Sequence, residues 1–349
     1  MDYSVVIVGG GPAGALAARK LTAAGARVLV VDRARPGRIE AAEILSPEGQ
    51  AILDDEKIWP RIPLDFTWPC TAVAAAWDRP EPDWTRFDPC AWHVDRIRFD
   101  AWMLVQLRSA GVDVVCGTAM DAHRIHDGWR IAIVADTVTR TVSASCLILA
   151  TGRTSRTIRL ARRDPIDTLC LVAGTTSPDP VDPDALIVEA APDGWWYSAP
   201  LVSGRLFAGW MTDFSLVPDG DYARAAAASL PGAPLHTRRL GAPQLSTIIG
   251  SASWRMTPAA GDGWVAIGDA ALARDPIGGD GLTAALRSAR HGADVVTRAL
   301  DGDRTAWADA AAHTDAIAER YVHQRLALYR RARTRWPTST FWQRFGASA

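Results

Sequence analysis

The chain has 349 residues with 38 basic and 39 acidic side chains, and this balance, with no basic stripe, excludes an electrostatic footprint for nucleic acid. The length exceeds one ordinary core, so two domains of a soluble enzyme are expected. The five cysteines, Cys70, Cys90, Cys116, Cys146 and Cys170, make no metal-ligand spacing, so no metal is expected, and their odd number fits a reducing, cytoplasmic compartment.

Ser4 to Val8 reads as a buried strand, too short to cross a bilayer, so neither a signal peptide nor a membrane span is expected. It runs into Gly9-Gly10-Gly11-Pro12-Ala13-Gly14, and Ala13 to Ala24 then reads as a helix with small residues on one face. In that context Gly9 serves a tight turn, Gly11 lets backbone N–H groups approach a pyrophosphate, and Gly14 allows close helix–strand packing. Pro12 and Ala13 open the helix, whose N-terminus favours phosphate. A second strand, Arg27 to Val31, ends at Asp32 and Arg33, where an acidic side chain is placed to accept hydrogen bonds from an adenosine ribose.

Residues 58 to 92 carry six prolines among short strand-like runs such as Thr71 to Trp77, an excursion out of the nucleotide domain. Of the fifteen tryptophans, Trp59, Trp68, Trp77, Trp84, Trp92 and Trp102 crowd here, as core or as the lining of an apolar pocket. Asp95 to Asp100 opens an amphipathic helix reaching Ala110, and strands at Val112 to Cys116, Ile131 to Val134 and Ser145 to Leu149 resume the nucleotide domain. They deliver Ala150-Thr151-Gly152-Arg153-Thr154-Ser155, with Gly152 set for close backbone approach.

From about Pro165 to Trp254 short strands alternate with Gly/Pro turns: Leu169 to Ala173, Ala185 to Ala190, Trp195 to Ala199 and Leu206 to Met211. They suggest a largely antiparallel sheet that roofs a pocket, with Trp195, Tyr197 and Trp210 as candidate substrate contacts. Trp264 to Ile267 returns to the nucleotide domain and delivers Gly268-Asp269-Ala270-Ala271, then Pro276-Ile277-Gly278-Gly279-Asp280-Gly281 with Leu282 opening a helix; arginine-rich helices from Trp307 to Arg335 follow. Either glycine motif alone is weak. Together they point to one dinucleotide, FAD, gripped at its adenosine side by the first loop and at its redox ring by the second.

The expected fold is α/β: a Rossmann-type FAD-binding domain with an inserted, mainly antiparallel β-sheet substrate domain and C-terminal helices. The expected boundaries are residues 1–66, 93–162 and 255–300 for the FAD-binding domain, 67–92 and 163–254 for the substrate domain, and 301–349 for the helical segment.

On Gly9 to Gly14 with Asp32, Ala150 to Ser155, Gly268 to Ala271 and Pro276 to Gly281, in this order, the chain resembles the flavoprotein monooxygenase and flavin-dependent halogenase superfamily, with the fold of the aromatic hydroxylases and geranylgeranyl reductases. Asp193 to Pro200 and the tail Arg335 to Trp342 resemble the branch that includes flavoproteins maturing protein-derived tryptophan quinones. The resemblance implies that Asp269 binds ribityl or ribose hydroxyls, that Arg96 reaches the phosphate or ribityl region, and that Pro276 to Gly281 lie along the flavin pyrimidine edge. There the following helix N-terminus would stabilise the reduced flavin.

The implied reaction is hydroxylation of an aromatic substrate, an indole or a peptide-borne tryptophan, by O2 through a flavin C4a-hydroperoxide. A reductase or dehydrogenase without oxygen insertion is the alternative. Without a second dinucleotide motif, the electrons come from NAD(P)H docking transiently or from a separate flavin reductase as partner. Halogenases of this superfamily carry Trp-x-Trp-x-Ile-Pro and a catalytic lysine. Here the run is Trp195-Trp196-Tyr197-Ser198-Ala199-Pro200, and neither lysine, Lys20 or Lys57, matches the position. Gly37 to Glu43 resembles the stretch that hydroxylases place beside the flavin, with Glu40 replacing an arginine. Glu40 and Glu43 fit a general base or, equally, solvated loop carboxylates. His93 stands just before Arg96 and is the one histidine placed to face the pocket.

Overall fold

The structure, a computed structural model, describes residues 1–33, 40–58, 62–153, 158–177, 184–217 and 220–345. Trp59, Gly37 to Ile39, Thr154 and Ser155 lie outside them.

Runs of Val, Ile and Leu make the first sheet. Its strands β1 (Tyr3–Val8), β2 (Val28–Asp32), β6 (Asp113–Cys116), β9 (Val138–Leu149) and β18 (Trp264–Ala266) are parallel, in the order β18-β9-β1-β2-β6, with β17 (Ala260–Gly261) antiparallel at the edge. Strands buried on both faces need near-continuous apolar sequence, and Val5, Val6 and Ile7 are fully buried. Helices α1 (Pro12–Ala23), α3 (Arg96–Ser109) and α6 (Gly281–Leu300) share one core cluster with these strands. The first half of β9 pairs instead with β8 (Gly128–Ala135), which pairs with β7 (Thr118–Ile125), so this hairpin extends from the sheet. The order reverses between β1 and β9. In such open sheets ligands sit at the carboxyl ends of the strands, at that switch point.

The second sheet runs β15 (Gln244–Gly250), β11 (Leu169–Thr176), β14 (Leu206–Asp213), β13 (Gly194–Pro200), β12 (Ala185–Ala191), β4 (Thr67–Ala76), β5 (Asp83–Val94) and β3 (Ile44–Leu45). It is antiparallel except for the parallel pair β12–β4. The two excursions expected from the sequence thus fuse into one sheet, and β3, from the stretch assigned to the nucleotide domain, pairs with it. β13 alternates faces. Trp195, Tyr197 and Ala199 enter one core cluster, while Trp196 joins another with Trp210.

The Trp196 and Trp210 face is covered by α4 (Tyr222–Ser229) and α5 (Pro234–Leu240). A small sheet of β10 (Arg162–Pro165), β16 (Trp254–Thr257) and β19 (Leu272–Ala273) joins the two halves, and α2 (Pro47–Asp55) packs near α6. Residues 306–335 form one 30-residue helix, α7 (Ala306–Arg335), where several were expected. Its far end and α8 (Thr340–Gln343) carry Tyr329, Phe341 and Trp342 onto the Trp195 face, all fully buried. Among the described residues no helix is long and apolar enough to cross a membrane.

Candidate cofactor and substrate site

At the end of β1 the backbone of Gly9 has φ +110°, and a Cβ there would lie 2.2 Å from the Ala150 carbonyl oxygen. A Cβ at Gly14 would lie 1.9 Å from the Gly9 carbonyl oxygen, so helix and strand pack at a distance only glycine permits. Gly11 has open space where a Cβ would stand. It also caps α1 without any side-chain hydrogen bond, and Pro12 and Ala13 follow, so the helix presents N–H groups that need an acceptor. Asp32 closes β2 and accepts a 2.8 Å hydrogen bond from Gly10 N–H, which holds the loop; Arg33 beside it is exposed.

The second motif lies against the first. A Cβ on Gly268 would stand 3.1 Å from the Ala13 Cβ, and the Gly268 N–H donates to Ser288 Oγ of α6 at 2.9 Å. Asp269 is half-exposed and lies 3.4 Å from the Arg153 guanidinium, which donates to the carbonyls of Ala252 and Arg274. Asp275 caps the turn Pro276–Gly278, and Gly279 follows at φ +60°, a left-handed conformation that reverses the chain into α6. The α6 N-terminus, at Gly281 with Leu282 buried behind it, also lacks a side-chain cap.

Four glycines, Gly11, Gly152, Gly279 and Gly281, therefore face open space a Cβ would enter, and two uncapped helix N-termini stand at the same strand ends. Open backbone faces and uncapped helix N-termini of this kind suit an elongated, phosphate-bearing ligand.

Arg96, first residue of α3, is held by Asp100 at 2.9 Å and by Glu43 at 3.3 Å. Burial opposes its charge, yet Asp100, Glu43 and Asp269 keep it firmly protonated. Glu43 is thereby engaged as a counter-ion. Glu40 accepts from the Ser203 N–H at 3.3 Å. The two candidate bases line one narrow crevice with Trp68, His93, Pro200 and Leu201.

Trp195 and Tyr197 share the sheet face that turns toward this side. Burial, with the Glu43 charge, pushes the Tyr197 phenol well up. Trp210 does not join them: it pairs with Trp196 across β14 and β13 and stacks on it at 6.2 Å on the opposite face, because side chains alternate along a strand.

Sequence reasoning missed a buried polar network behind Trp195. The Trp195 indole N–H donates to Tyr329 Oη at 3.1 Å, and Tyr329 donates to Asp275 at 2.9 Å. Arg325 pairs with both Asp275, at 2.8 Å, and Asp167, at 3.0 Å. Tyr321 Oη accepts from the Asp275 N–H and meets Ser253 Oγ. Asp275 immediately precedes the Pro276 motif, which was the one available signal; its partners lie about fifty residues away on α7. Among the described residues no cluster of His, Cys, Asp and Glu could hold a metal ion.

Comparison with known proteins agrees with this geometry. Residues 2–166 match the family model described as FAD binding domain. The chain is 26% identical to a putative FAD-dependent oxidoreductase, LodB, of Marinomonas mediterranea, over 98% of this chain and 96% of that one. In structure it is similar to the flavin-dependent halogenase CmlS, with a TM-score of 0.89 at 23% identity over 100% of this chain and 68% of that one. It is similar also to the peptidyl tryptophan dihydroxylase QhpG, with a TM-score of 0.79 at 26% identity over 99% and 79%. Residues 2–166 thus resemble an FAD-binding domain, and the whole chain has the fold of the flavin-dependent halogenase and of the peptidyl tryptophan dihydroxylase.

Proposed function

We propose that this protein is a monooxygenase that inserts one oxygen atom from O2 into an aromatic group, an indole or the tryptophan side chain of a peptide. The observation that carries the reading is the set of side chains gathered at Glu43, itself paired with Arg96 at 3.3 Å: Glu40, Trp68, Pro200 and Leu201 line one crevice with it. The similarity to a peptidyl tryptophan dihydroxylase supports the same substrate class.

FAD, once bound and reduced by NAD(P)H or by a separate flavin reductase, supplies the electrons that activate O2. The chain's own groups do the rest. The α1 N-terminus and Gly11 hold the pyrophosphate; Asp269 and Arg96 orient the middle of the cofactor; the α6 N-terminus favours negative charge at the ring edge. Trp195 and Tyr197, backed by Tyr329 and Trp342, keep water from the sheet side. Glu43, held by Arg96, lies within the cleft as an acceptor for a substrate proton.

Halogenation fits poorly. Lys20 is paired with Glu56 at 3.1 Å, and Lys57 lines a separate cavity with Ala15, Arg19 and Trp102. The test is product mass after reduced holoenzyme meets air with indole or a tryptophan peptide. A gain of one oxygen atom supports the proposal; a change of two hydrogens supports a dehydrogenase or reductase, and halide incorporation a halogenase.

A further inference from the structure

We propose that Tyr321, Arg325 and Tyr329 of α7 are positioning residues for the cofactor: by holding Asp275 they fix the turn Pro276–Gly278. The inference rests on the reading of Pro276 to Gly281 as the border of the flavin ring, and it makes α7 part of that site.

The three side chains follow one another at intervals of four residues, so the helical period puts them on one face of α7. All three are buried, and all converge on Asp275, whose side chain has no exposed surface. They divide its polar atoms. The Tyr321 hydroxyl oxygen accepts from the Asp275 N–H at 3.0 Å, Arg325 Nε lies 2.8 Å from Oδ2, and the Tyr329 hydroxyl donates to the same oxygen at 2.9 Å. Oδ1 is left to cap the turn, where it accepts from the Ile277 N–H at 3.3 Å.

Each of the three is anchored in turn. Tyr321 Oη lies 2.8 Å from Ser253 Oγ, and Tyr329 Oη accepts from the Trp195 indole at 3.1 Å. Arg325 pairs at 3.0 Å with Asp167, whose Oδ1 accepts from the N–H groups of Ser253 and Leu169. The turn is also held from its other side. Arg153, just past β9, donates to the Arg274 carbonyl at 2.6 Å, and the Arg274 guanidinium reaches Asp280 at 3.2 Å across the turn.

Stability alone does not call for such a set, because buried charges and their partners are commonly replaced by apolar side chains without loss. What the set fixes is place. With Asp275 pinned, the left-handed Gly279 and the start of α6 at Gly281 follow at a set angle, and so do the free N–H groups of the α6 N-terminus.

The test reads the flavin rather than turnover. Apoprotein is titrated with FAD by flavin fluorescence, and the visible absorption and circular dichroism of the bound flavin are recorded. Tyr329→Phe keeps the ring and removes one hydrogen bond to Asp275. It should bind FAD about three- to tenfold more weakly, the range of one net hydrogen bond, with altered flavin bands. Tyr321→Phe should act in the same direction. Ala327→Gly is the control: it is exposed on the same helix and weakens α7 through the backbone, so FAD affinity and bands should stay as in wild type. Asp275→Asn removes a negative charge at the turn and should raise the midpoint potential of the bound flavin. Asp167→Asn takes the other carboxylate from the same guanidinium and should raise it less.

Wild-type affinity and bands in Tyr329→Phe, or an equal loss in Ala327→Gly, overturn the positioning role and leave the FAD reading standing. Equal potential shifts in the two Asn variants overturn it as well. Should Tyr329→Phe fail to fold, Tyr321→Phe and the potentials decide by the same criteria. Wild type that takes up no FAD overturns both readings.

Discussion

The hydroxyl of Tyr329, on α7, donates at 2.9 Å to Asp275, the residue immediately before the Pro276 turn. Helix α7 is thus bonded to the loop that would border the flavin ring. Asp275 is fully buried; burial raises its pKa, against the opposing pull of Arg325 and Tyr329. A single guanidinium, Arg325, faces the two carboxylates of Asp275 and Asp167. Such a group of buried charges holds only when each is partnered.

Removing Arg325 should therefore be severe. Arg325→Met leaves two buried carboxylates without a counter-ion and is expected to cost about 3–5 kcal/mol. Tyr329→Phe, which deletes one donor to Asp275 and the acceptor for Trp195, should cost about 1–3 kcal/mol. Urea denaturation of both variants checks the order; equal midpoints would show that the network adds nothing to stability.

Two glycines three residues apart should respond in opposite ways. At Gly11 a side chain enters open space, so Gly11→Val should keep the thermal midpoint of the apoprotein and lose FAD. At Gly14 a Cβ would lie 1.9 Å from backbone, so Gly14→Val should destabilise the apoprotein itself. Melting curves with and without added FAD separate the two effects.

Acid stability has a sign set by His93. Its folded value of about 4 lies below the ordinary histidine value of about 6.5, so between these the unfolded chain binds a proton that the folded chain refuses. Stability should fall as pH drops from 6.5 to 4, by roughly 3 kcal/mol from this residue. His236, also lowered by burial, acts in the same direction. Denaturation across this range should be flatter in His93→Phe than in wild type; an identical slope would place the proton uptake elsewhere.

The lysines should be dispensable for the chemistry. Lys20→Met loses a partly buried pair with Glu56, and Lys57→Met touches no cofactor-cradle residue. Product identity and turnover should be unchanged in both, and loss of product in either would revive a halogenase-like role.

Much of the cofactor half was legible because its requirements are local. A strand, a glycine turn and a helix N-terminus follow each other within twelve residues at Val8 to Ala18, and the spacing carries the chemistry. The large sheet was less legible. β5 runs through Pro89, which argues against a strand, so only β4 beside it was read from sequence. The alanine-rich α4 and the short α5 also escaped, since they sit in the stretch read as strands and turns. The paired tryptophans Trp195 and Trp196 looked like one aromatic run; β-strand alternation sends them to opposite faces, and Trp210 goes with Trp196.

From sequence alone the cofactor class and the two glycine loops were determined, because close backbone approach admits only glycine and the residue order around it is short-range. Which side chains share a site was decided by tertiary structure. Gly268 meets Ala13 across 255 positions, Arg96 meets Glu43, and His93 stacks on Trp68. Contacts between such distant positions depend on strand pairing and burial, and no local pattern in the chain encodes which acceptors end up partnered.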